Sequence, residues 1–169
     1  MRHGLQLSIA CLLVVWATLP ATARAADAKE LQIFASARDS NRAANIGPVQ
    51  LDELGGVVIR SAEELVALSS KAKSAKDPAV QKETEAELAK LLQLDAIDWS
   101  KQMVLAVRGE RGTKADKVRF DSLKIEDKVL TVAWKVIPRP PHAGPGTPIA
   151  LILVERFDGE VKFVLSGQK

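Results

Sequence analysis

The sequence predicts an α+β fold: one or two N-terminal helices packed on a mainly antiparallel sheet of about five or six strands. Two helix starts, Ser61 with Glu64 and Asp77 with Pro78, lie close together in the first half of the chain. Beyond Gln102, stretches of strand-like patterning follow one another to the C terminus. A run of helices followed by a run of strands is the arrangement of an α+β domain. The 169 residues are 47% hydrophobic and 27% charged, so the chain can bury a core and does not resemble a disordered one.

The N terminus opens with Arg2 and His3, and an apolar run from Leu5 to Leu19 follows. Pro20 then leads into Ala21-Thr22-Ala23-Arg24-Ala25. A basic start, a short apolar run and a small-residue cleavage site are the parts of a secretory signal peptide, expected over residues 1–25. An apolar core of about 15 residues is shorter than the roughly 20 that a spanning helix needs, so no membrane span is expected once the leader is cut. Cleavage after Ala25 removes Arg2 and Arg24, leaving 22 basic against 21 acidic residues, a net charge of +1. It also removes the single Cys and one of the two His, so His142 is the histidine that remains. Such a chain lacks the cationic excess that phosphate neutralisation demands, and no nucleic-acid partner is expected. The localisation expected is periplasmic or secreted.

Residues 26–54 carry only weak alternation, at Leu31, Ile33 and Ala35, and read as an N-terminal extension or tether or, alternatively, as a first strand of the domain. A single α+β domain is expected over residues 55–169. Gly56 to Arg60 is rich in β-branched residues and reads as a strand. Ser61 with Glu64 three positions later forms the capping-box pattern for a first helix. Asp77 as N-cap and Pro78 in the first turn start a second, along which Val80, Thr84, Leu88, Leu91 and Leu92 recur at helical spacing.

Residues 95–100 read as a turn. The nearly unbroken apolar run from Gln102 to Val107 fits a strand covered on both faces. Val118 and Phe120, then Leu123 and Ile125, form a strand whose alternation slips at Asp121-Ser122, the sign of a bulge. After a turn at Glu126-Asp127-Lys128, Leu130, Val132, Trp134 and Val136 give the clearest period of two. Ile149 to Val154 is another apolar strand. Asp158-Gly159 is a hairpin signal, and Val161, Phe163 and Leu165 alternate after it.

Little in this chain can do chemistry. There is no G-x-S-x-G, no Cys/His metal spacing and no phosphate-binding glycine loop. Asp95 and Asp98 could pair as carboxylates, but their setting reads better as turn and capping chemistry. No catalytic residue, no metal ligand and no cofactor is therefore expected. Two loops stand out instead. Residues 138–148, PRPPHAGPGTP, hold five of the eight prolines and are stiff. Residues 108–116 are glycine-containing and charged. Arg108, Arg111 and Arg139, together with His142, are the expected binding residues, because guanidinium groups on a stiff frame suit carboxylates.

Residues 95–109, DAIDWSKQMVLAVRG, resemble a motif of the domain family named after the C-terminal region of the protease complex subunit PrcB. The matching positions are Asp98 to Lys101, Met103 to Val107 and Gly109, and Ile59 to Leu65 is similar to that family's strand-to-helix opening. The resemblance implies an exported, noncatalytic, β-rich module, in its namesake part of a protease assembly. The expected function is thus an exported noncatalytic protein-interaction module that meets another exported protein or an acidic surface. Two alternatives are a hydrolase or small-ligand enzyme using His142, and a structural domain of the cell envelope with no specific partner.

Overall fold

A computed structural model describes residues 29–41, 45–51, 54–110, 115–138 and 146–167. The expected signal peptide lies outside them. The strands are β1 (Lys29–Glu30), β2 (Ile33–Asn41), β3 (Asn45–Ile46), β4 (Val49–Gln50) and β5 (Gly55–Ile59). Helix α1 (Ala62–Ala67), a 3-10 turn at Ala72–Ser74 and α2 (Pro78–Leu91) come next. Then follow β6 (Gln102–Arg108), β7 (Ala115–Glu126), β8 (Val129–Pro138), β9 (Thr147–Glu155) and β10 (Glu160–Leu165).

Both helices begin where the local chemistry demands. The Ser61 hydroxyl accepts the Glu64 backbone N–H, and the Glu64 carboxylate reaches back to the Arg60 N–H. The Asp77 carboxylate accepts the Ala79 N–H, satisfying one of the donors a helix start leaves open. Thr84, Leu88 and Leu92 form the buried stripe of α2 and its C-cap.

The strands divide into two four-stranded sheets and a small hairpin, where the sequence led us to expect a single sheet of five or six. The central sheet has the order β2-β9-β6-β5 and is antiparallel throughout. Its register puts Val104 and Ala106 of β6, with Ile149, Leu151 and Leu153 of β9, on the face covered by the helices and the β3–β4 hairpin. Met103, Leu105 and Val107 point the other way, against Leu123, Leu130, Val132 and Trp134 of the second sheet. This explains the uninterrupted apolar run of β6 and β9: each lies between two layers.

The second sheet has the order β1-β7-β8-β10, with β10 parallel to β8. Asp158-Gly159 therefore does not close a hairpin between β9 and β10. The reason lies in β9, whose two edges are already taken by β2 and β6, so the chain must cross to the other sheet to find a partner. The bulge expected at Asp121 is present, as a register shift between Phe120 and Ser122.

Of the two readings of residues 26–54, the tether needs correction and the strand holds for Ile33–Asn41. β2 forms an edge of the central sheet along most of β9, β1 pairs with β7, and Ile46, Val49 and Leu51 are buried under the helices. The weak alternation reflects a strand whose inward positions are only Ala35 and Ala37. No described helix is long and apolar enough to cross a membrane.

Candidate functional site

The two loops singled out in the sequence leave the same end of the domain. β6 ends and β7 begins there, as β8 ends and β9 begins. Their roots are joined: the Gly109 N–H donates to the Pro148 carbonyl at 2.8 Å. Glycine is required at this position, because a Cβ there would lie 2.8 Å from both the Pro148 ring and Val118. Of the four expected binding residues, Arg108 is described, whereas Arg111, Arg139 and His142 lie outside the described residues.

Arg108 closes β6, opposite Ile149 of β9 on one side and Gly55 of β5 on the other. Strand alternation sets it on the helix-side face. Its Nε and Nη1 are buried and make no hydrogen bond among the described residues. The same holds for the hydroxyl of Thr147, two residues before Ile149 and fully buried. A diagonal step of this kind across a strand pair is within reach of a long side chain. Buried guanidinium N–H groups and a buried hydroxyl without partners are costly, since each has left water for nothing. An anion accepting from the guanidinium would remove that cost.

A cleft of about 400 Å³ opens beside this end of β5, lined by Gln50, Leu51, Leu54, Gly55, Gly56, Val57 and Leu68. The Gln50 N–H is tied to the Leu68 carbonyl at 2.7 Å, which fixes the hairpin against the end of α1. Sequence reasoning did not find this cleft or Thr147. The available signal was Gly55-Gly56 ahead of an uncharged Val-Val-Ile.

At the opposite end, two arginines bind main chain. Arg156 Nη1 donates to the carbonyls of Trp99 (2.7 Å) and Arg60 (3.2 Å), while Arg60 Nε and Nη2 donate to those of Phe157 and Gly159. Asp98 accepts from the Ser100 N–H and hydroxyl and pairs with Lys101 at 3.4 Å. The Ser100 hydroxyl, aided by Lys101, holds the Asp98 carboxyl below its ordinary range. Asp98 thus acts as a turn anchor, and acid–base work would need the opposite shift. Trp134 is buried between the sheets; Trp99 packs beside the helices and donates its indole N–H to Glu85 at 2.7 Å. Among the described residues, no three His, Cys, Asp or Glu are grouped to hold a metal.

No family model, curated protein or solved structure matches the chain. The PrcB-like resemblance accordingly stands on sequence motifs alone: the 95–109 segment, the β5–α1 junction and an approximate counterpart at residues 138–148.

Proposed function

We propose that this chain is an exported, noncatalytic interaction module whose loop end receives carboxylate groups of another exported protein or an acidic surface. The observation that carries the reading is that the buried Nε and Nη1 of half-buried Arg108, at the joined roots of the two loops, have no hydrogen-bond partner among the described residues. Arg111, Arg139 and His142 belong to those loops in sequence and are assigned to the same carboxylate binding. The guanidinium fork suits a carboxylate better than a lysine would, because two parallel N–H donors meet two oxygens. Export and a periplasmic or secreted location follow from the leader pattern of residues 1–25, supported by the PrcB-like segment.

Binding of a fluorescent poly-glutamate peptide tests this directly, read by anisotropy. Arg108→Gln should weaken it about tenfold, a loss of roughly 1.4 kcal/mol. Alanine at both Arg139 and His142 should weaken it further. Equal binding by all three proteins overturns the reading and favours a structural domain without a partner.

A further inference from the structure

The two four-stranded sheets present four edges, formed by β1, β2, β5 and β10. Three of these carry charge. β1 consists of Lys29 and Glu30, β2 holds exposed Arg38, and β10 has Glu160 and Lys162 exposed. Charges on an edge deter the addition of a foreign strand. β5, Gly55-Gly56-Val57-Val58-Ile59, has neither a charge nor a proline. It pairs only with β6, and among the described residues its backbone makes no hydrogen bond beyond that ladder. Gly56, in the middle of the outer end, is exposed.

Two further features adjoin this bare edge. The cleft beside it offers apolar Leu51, Leu54, Val57 and Leu68, with Leu54 57% exposed. Arg108, whose Nε and Nη1 have no partner among the described residues, stands opposite Gly55 at the start of the strand. Space is open at Gly55, where an added Cβ would meet nothing within 4 Å.

We propose that β5 takes the C-terminal segment of a partner protein as an added antiparallel strand, its terminal carboxylate received at the Gly55–Arg108 end. The direction follows from the geometry. A strand antiparallel to β5 runs from Ile59 toward Gly55, so its C terminus arrives beside Arg108. Main-chain hydrogen bonds supply the affinity, and the cleft selects apolar side chains at alternate positions. A second copy of this chain is the poorer occupant: two β5 strands paired about Val57 bring Arg60 of one copy to the Gly55 end of the other, a cation beside Arg108. The inference rests on the reading of Arg108 as a carboxylate receiver.

The experiment uses the signal-free protein and a pool of short random peptides with free C termini, with retained sequences resynthesised as acid and amide. Retained peptides should be apolar at alternate positions and should shift the NMR amide signals of Gly55 to Val58. Amidation, Arg108→Gln and Leu54→Asp should each weaken binding about tenfold; Leu54 is exposed, so its variant should keep the wild-type circular dichroism. Failure to retain any peptide, or shifts confined to the loops, overturns strand addition while leaving poly-glutamate binding intact. Equal binding of acid and amide at β5 overturns the role of Arg108 instead. Concentration-dependent dimerisation through β5 without peptide uptake gives the edge to a second copy and overturns the proposal.

Discussion

Gly56 shows how much one missing side chain decides. A Cβ there would lie 2.1 Å from the Phe163 ring, which packs against the inter-sheet core. Gly56→Ala should therefore destabilise the protein by about 1–3 kcal/mol, the range for overpacking, measured by urea denaturation. Asp98 gives a prediction with a sign. Its carboxyl titrates lower in the folded chain than in the unfolded one, so its contribution is present above the unfolded value near 3.9 and fades as pH falls through the folded value. Asp98→Asn should make the acid limb of a stability–pH profile shallower; an unchanged limb would remove the anchoring role. At this scale the caps were legible, because Ser61, Glu64, Asp77 and Pro78 act within one helical turn. Arg108 was legible as a cation in a distinctive loop. Its lack of a partner was not, since that depends on burial by strands distant in sequence.

At the level of elements, the β7–β8 hairpin is the simplest test. Its two-residue turn, Asp127-Lys128, has φ of 48° and 64°, the type I′ geometry that matches the twist of paired strands. Lysine is a poor residue for left-handed backbone. Lys128→Gly should stabilise the protein by roughly 0.5–1 kcal/mol, raising its thermal midpoint. The bulge at Asp121 was visible in the sequence because it interrupts an alternation. There Lys135 pairs with Asp121 at 2.6 Å and holds its carboxyl below the ordinary range. The Asp158-Gly159 signal misled for a reason no local pattern carries: whether a strand can fold back on its predecessor depends on whether that predecessor has an edge left.

For the whole molecule, the layers were only half visible. The fully apolar β6 and β9 announced coverage on both faces, yet the second cover is another sheet, built from strands whose alternation looks the same in either arrangement. β2 was nearly hidden because small Ala35 and Ala37 do its inward packing. A chain beginning at Asn45 should lose the ladder along β9 and expose that strand, so we expect aggregation and a collapsed NMR spectrum; a dispersed, native-like spectrum would restore the tether reading.

The pairing of β2 with β9 also orders events in time. The partner residues are more than 100 positions apart, so the central sheet has no second side until most of the polypeptide has been synthesised. Closing so large a loop is slow, so the central sheet is completed late in folding. The export proposed above would thus act on a chain still threadable, with its architecture completed on the far side of the membrane.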